Sequence, residues 1–212
     1  MPALSPRVLQ SLLAEPQEAA FRLSQEDRGL LAHSLSGYLG GSLNSANAQV
    51  FLGGKPLNAF QAHELQHLAD VRALFSLSAL LAAGAVLVFL LVSLVLLLDK
   101  GRPFAARLAG LAGACQSAAL GVLGVCALLG LVASLRFEQA FTMLHKALFR
   151  NDLWLLDPQR DLLIQLMPQR FFTEYAAHSI KPVLISLGLV LAASTALRAG
   201  AVSRVHQQVS DG

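Results

Sequence analysis

Two long apolar stretches carry no charged residue, positions 74–98 (25 residues) and positions 108–135 (28 residues). Each exceeds the roughly 20 helical residues that cross a hydrocarbon core of about 30 Å, so each is predicted as a transmembrane helix. A third uncharged run, 182–197, is only 16 residues long. Lys181 can snorkel and Ala176 and Ala177 can extend the run, which predicts a span over 178–199. The second span is rich in Gly, Ala and Ser, which let helix backbones approach closely in lipid. Cys115 and Cys126 fall inside it, eleven positions apart and so about 16 Å along a helix axis, too far for a disulfide.

The polar remainder divides into segments 1–72, 99–107, 136–177 and 200–212, giving a single membrane domain over 1–212. The 99–107 loop carries Lys100, Arg102 and Arg107 against Asp99, and the tail carries Arg198 and Arg204 just inside and beyond the third span. The positive-inside rule makes both cytoplasmic. Segments 1–72 and 136–177, with basic and acidic residues nearly balanced, then share the extracytoplasmic face. The first 23 residues lack the apolar core of a signal peptide. Either the first span carries the N-terminal segment across, or a further membrane helix lies ahead of Met1.

Residues 57–74, LNAFQAHELQHLADVRAL, are predicted as a helix entering the first span, with Asn58 as N-cap. Glu64, His67, Val71 and Leu74 share one face. Asp70, three residues after His67, is expected to reach its imidazole, fix its tautomer and make it a better base. In the second polar segment His145 lies on the polar side of a helix. RNDLWLLDPQRD then gathers Asn151, Asp152, Trp154, Asp157 and Asp161, with Asp157-Pro158 starting a turn or helix. DLLIQLMPQRFF follows as an interfacial amphipathic piece, with Trp154, Phe171, Phe172 and Tyr175 at headgroup level.

Composition agrees with a membrane class. The chain is 55% hydrophobic and 14% charged, with mean hydropathy +0.57. Soluble domains are about 25% charged. The net charge of +3 is small and the basic residues form no run, so nothing marks a nucleic-acid partner.

HELQH, at 63–67, matches the H-E-x-x-H of zinc proteases, which use two histidines as ligands and the glutamate as base. A zincin needs a third ligand, for which His145, His178 or an acidic residue would have to serve. No zincin extension follows. A non-catalytic membrane binding protein is the blander alternative. Against it, topology brings two polar clusters, each centred on a histidine beside carboxylates, to one membrane face, and polar residues at membrane depth tend to mark function.

Glu64-x-x-His67-x-x-Asp70-Val71-Arg72, running into a span, resembles the E-x-x-H-M-x-D-V-K signature of the bacterial lipoprotein intramolecular transacylase (Lit) family. LHKALFRNDLWLLDPQRDLLIQLMPQRFF resembles its second signature, F-H-x-x-F-F-x-N-D-x-W-x-x-D-P-x-x-D with a Pro and a Phe pair after it. Leu68, Arg72 and Leu144 depart mildly from the pattern, and Tyr38 loosely matches an upstream Tyr-Leu pair. The resemblance uses Glu64, His67 and Asp70 and leaves His63 aside, so it implies no metal and no cofactor. It implies an all-α membrane protein, a helical bundle with about three predicted transmembrane helices where the family has four, and an extracytoplasmic helical cap. It also implies an enzyme of the bacterial cytoplasmic (inner) membrane acting on diacylglyceryl-modified lipoproteins. There it moves the sn-2 acyl chain to the cysteine α-amine and leaves a lyso-form lipoprotein. His67 and His145 would be catalytic, and Glu64, Asp70, Tyr38, Asn151, Asp152, Trp154, Asp157 and Asp161 would support them or position substrate.

Overall fold

A computed structural model describes residues 5–13, 23–52 and 55–210. Parts of the 1–72 segment and residues 211–212 of the tail lie outside the described residues. The chain divides into two compact units. The first combines residues 1–79 with 137–179, and the second combines 80–136 with 180–212.

The first unit starts with two short helices, α1 (Pro6–Leu12) and α2 (Gln25–Leu39). Ser24 and Asp27 form a reciprocal capping box on α2, each side chain bonding the other's backbone N–H. The second oxygen of Asp27 accepts from the Phe51 amide at 3.4 Å, which ties α2 to the strand that follows. That strand, β1 (Gln49–Leu52), pairs antiparallel with β2 (Lys55–Asn58), Val50 opposite Leu57. Val50 points into the core between exposed Gln49 and Phe51, the period-two alternation of a half-buried strand, whereas β2 is exposed along its whole length. α2 stops at the Gly40-Gly41 pair, where Gly41 takes φ +85°, a left-handed conformation that a side chain would strain.

Helix α3 (Ala62–Leu98) begins in this unit and runs into the second. It starts five residues later than the sequence predicts. Asn58 ends β2 and is not an N-cap, because pairing with Gln49 holds it extended. The Glu64 carboxylate supplies the cap, accepting the Gln61 amide at 2.7 Å.

The returning half of the unit carries α5 (Phe137–Leu148), α6 (Leu162–Leu166) and the first turns of α7 (Gln169–Ser210). Leu162, Leu163 and Leu166 are fully or almost fully buried, packed with Leu31, Leu35, Val50, Phe60 and Leu68 in one core. The piece expected to lie at a lipid interface is core instead. The segments 1–72 and 136–177 are therefore halves of one folded body.

The second unit is made of helix. The rest of α3, α4 (Phe104–Leu135) and most of α7 expose Leu, Val and Ile along their lengths. Three helices, Ala62–Leu98, Phe104–Leu135 and Gln169–Gly200, are long and apolar enough to cross a membrane. The all-α membrane class is thus present, with the β1–β2 hairpin as the one sheet among the described residues. Phe104–Arg107, read as loop, form the first turn of α4, and the Arg107 guanidinium donates to the Leu97 carbonyl at the end of α3. Arg198 donates to Gln116 Oε1 at 2.8 Å, giving a cation among apolar helices a polar partner. α7 starts at Gln169, directly after Pro168, and passes through Pro182 without breaking.

Candidate active site

Within the first unit α3 presents His67 and α5 presents His145, with ring centroids 6.0 Å apart. Aromatic rings enclose the pair. Phe149 stands edge-on to His67 at 5.2 Å. Phe141, Phe149 and Trp154 lie 4.0, 5.5 and 5.2 Å from His145. Phe137, Phe141 and His145 recur at every fourth position and so line one face of α5, and Phe149 continues the stripe just past the helix end, its amide bonding the His145 carbonyl at 2.8 Å. Sequence reasoning missed Phe141 and Phe149 as walls of the site, although this four-residue stripe is the signal that reveals them.

His145 Nδ1 lies 2.7 Å from the Phe141 carbonyl oxygen. A carbonyl only accepts, so Nδ1 carries the hydrogen and the neutral ring keeps its lone pair on Nε2. His67 differs. It is 7% exposed, and its Nδ1 is buried with no hydrogen-bond partner in the protein. It belongs to the polar turns of α3, ahead of the uncharged stretch. Burial first, and then the neighbouring His145, lower its pKa to about 4, opposed by the Asp70 charge. His67 is a neutral imidazole at pH 7.

This has a consequence for stability. The unfolded chain takes up the His67 proton near pH 6.5 and the folded chain only near 4, so the neutral ring's contribution is complete above 6.5 and is lost as pH falls toward 4. The full loss is about 3 kcal/mol, of which about 2 is gone by pH 5. Thermal unfolding in detergent at pH 7 and pH 5 should show wild type losing more stability than His67→Gln, which has no group to titrate there.

The hydrogen bonds of Glu64 go to backbone amides and not to His67. It is fully buried and accepts the Gln61 amide at 2.7 Å and the Leu163 amide at 2.8 Å. Burial raises its pKa above the usual carboxylate range against those two bonds. The support expected from Glu64 is therefore indirect, since backbone amides claim its oxygens. Asp161, also buried, receives the Asp157 amide at 2.7 Å and pairs with His63 Nε2 at 2.8 Å. The Gln61 side chain donates to the Arg160 carbonyl at 2.7 Å. Together these bonds clamp the start of α3, and with it His67, against the 157–163 loop.

Asp70 accepts from Asn151 Nδ2 at 2.8 Å, so its expected bond to His67 is replaced by a through-space charge effect. Asn151 Oδ1 takes the Leu153 amide at 3.2 Å and shapes the loop that brings Trp154 to His145. Asp157 Oδ1 caps the Gln159 amide at 2.8 Å, the turn reading rather than a catalytic one. Asp152 lines a groove beside the histidines. Tyr38 lies under the Arg72 guanidinium at 4.7 Å, and Arg72 also donates to the Leu43 carbonyl at 3.1 Å, fixing the end of α2 to α3.

The two histidines of HELQH are engaged separately, His63 with Asp161 and His67 with the aromatic cage. Among the described residues no three His, Cys, Asp or Glu side chains are grouped to hold a metal ion. Two neighbouring imidazoles in a folded unit, on a chain whose long helices are apolar enough to cross a membrane, fit the class of membrane-integral enzymes. The sequence profile of the lipoprotein intramolecular transacylase Lit matches residues 16–172, and the chain belongs to that family, which makes it an acyltransferase. Among solved structures, the membrane-integral lipoprotein intramolecular transacylase Lit from Bacillus cereus is similar in fold, with a TM-score of 0.54 and 19% identity over 88% of this chain and 76% of that one. No curated protein matches the chain.

Proposed function

We propose that this chain moves the sn-2 acyl chain of a diacylglyceryl-cysteine lipoprotein to the cysteine α-amine, at the extracytoplasmic face of the bacterial cytoplasmic membrane. The observation that carries the reading is the His67–His145 pair, 6.0 Å apart, with the His145 lone pair directed to Nε2. The amine attacks the ester carbonyl and forms the C–N bond, and His145 Nε2 takes the amine proton. The tetrahedral oxyanion accepts a hydrogen bond from neutral His67, whose buried Nδ1 has no protein partner. The C–O bond to the glycerol breaks, and the alkoxide recovers the proton from His145. The ester becomes an amide and the sn-2 hydroxyl is freed. Nucleophile and ester already share one molecule, so orientation is the enzyme's chief task. The basic 99–107 loop and the Arg198 and Arg204 charges support the assignment of face.

The test is mass spectrometry of lipoprotein N-termini from a bacterial host that accumulates the diacylglyceryl form. N-acyl, monoacylglyceryl cysteine should appear only when this protein is expressed. His63→Ala should keep conversion within about tenfold, because it removes a clamp bond and no reacting group. Unchanged N-termini with the protein verified in the membrane would refute the reading, and loss of all activity in an inserted His63→Ala would point back to a metal ligand.

A further inference from the structure

A cavity of about 360 Å³ opens beside the imidazoles, lined by Thr142, Lys146, Arg150, Asn151, Asp152 and Trp154 among others. Ligand sites begin at roughly 300 Å³. Trp154 lines this groove and also contacts His145, and Phe149 lines it and contacts both histidines. The groove therefore shares two walls with the reacting centre. His145 also meets apolar Phe141, which stacks on Phe137 and lies 5.2 Å from Phe172. A substrate whose acyl chains are apolar and whose polypeptide is polar is sorted by that contrast.

We infer that this groove holds the polypeptide immediately after the acylated cysteine, and that Lys146 and Arg150 make it select acidic side chains there. The inference rests on the transacylase reading. A peptide presents N–H and C=O groups alternately, and the groove offers both kinds of partner. Lys146, Arg150, the Asn151 amide and the Thr142 hydroxyl donate, and Asp152 accepts. A site for a phosphate would gather donors and keep a carboxylate out. Lys146, in the last turn of α5, and Arg150, two residues beyond its end, are both exposed and outnumber Asp152. The excess of one positive charge sets the direction of selectivity, and complementary charges act on specificity more than on total affinity.

The experiment uses the full chain in phosphatidylcholine vesicles with three synthetic peptides, diacylglyceryl-Cys-Ser followed by Asp-Asp, Lys-Lys or Gln-Gln. Product is read by mass spectrometry as kcat/KM. Wild type should convert the acidic peptide about fivefold faster than the basic one, a difference that shrinks at high salt. Lys146→Glu with Arg150→Glu should reverse the ratio. The milder Lys146→Gln with Arg150→Gln should bring it near one, and serves if the reversal variant fails to insert. The ratio is insensitive to how much protein is active. Equal rates on acidic and basic peptides in wild type, or a ratio that neither variant moves, would overturn the inference. So would a rate set by added phosphatidylglycerol regardless of peptide charge, which would make the groove a lipid-headgroup site. Product from the Gln-Gln peptide without charge preference defeats only the groove assignment, whereas no product from any peptide defeats the transacylase reading itself.

Discussion

Replacing His145 by alanine should lower conversion of diacylglyceryl lipoprotein by a hundred- to ten-thousand-fold, the range typical of losing one positioned general acid–base group. The effect should appear in kcat more than in KM, because in the proposed mechanism the imidazole carries a proton and does not grip lipid. His145 is half-buried and its ring bonds a carbonyl of its own helix. Its removal therefore leaves no distant group unsatisfied, and the inserted protein should unfold close to the wild-type temperature. His145→Gln keeps a donor for the Phe141 carbonyl and keeps the ring's approximate place, yet cannot accept and return a proton. Product from this variant at more than about a tenth of the wild-type rate would remove His145 from the chemistry.

Glu64→Ala should act by a different route and lose about 2–4 kcal/mol of stability. The substitution orphans the Gln61 and Leu163 amides, 99 residues of chain joining Leu163 to its acceptor, and empties a site with no solvent access. Glu64→Gln retains one carbonyl oxygen for one of the two amides but turns its NH₂ toward the other, so an intermediate loss is expected. Thermal denaturation in detergent separates these outcomes. The clamp also sets the position of His67, so residual activity in both variants should fall further than folded protein does. A wild-type melting temperature in Glu64→Ala would show that the two backbone bonds contribute nothing.

The spans were legible in the sequence because hydrocarbon excludes charge, and 25 or 28 positions that are both uncharged and overwhelmingly apolar leave few other fates. The histidine pair was legible because its spacing repeats a family signature on either side of two spans. What escaped is what depends on distant partners. The 57–61 stretch reads as helix until Asn58 finds Gln49 across the hairpin; the Gly53-Gly54 pair between the strands in sequence was the available sign. Glu64 and Asp70 share a helix with His67, so local spacing pairs them with it. In the fold the Leu163 amide and the Asn151 side chain compete for those carboxylates and win. The leucines of α6 look amphipathic in isolation and become core only when the N-terminal helices cover them.

Helix α3 carries His67 and the first uncharged stretch on one uninterrupted rod. Seven residues separate His67 from Leu74, about 10 Å of helix axis. The clamp at Gln61 and Glu64 fixes the upper end of that rod to the rest of its unit. The imidazole is thus a gauge mark at a fixed distance along the helix from the start of the apolar stretch, and under the proposed function a glycerol ester has to float at the depth of that mark. Bilayers of different thickness or headgroup packing shift that depth by ångströms, whereas the spacing from His67 to Leu74 along the helix does not change. The lipid composition of a membrane would then tune this enzyme's turnover without any ligand binding to it.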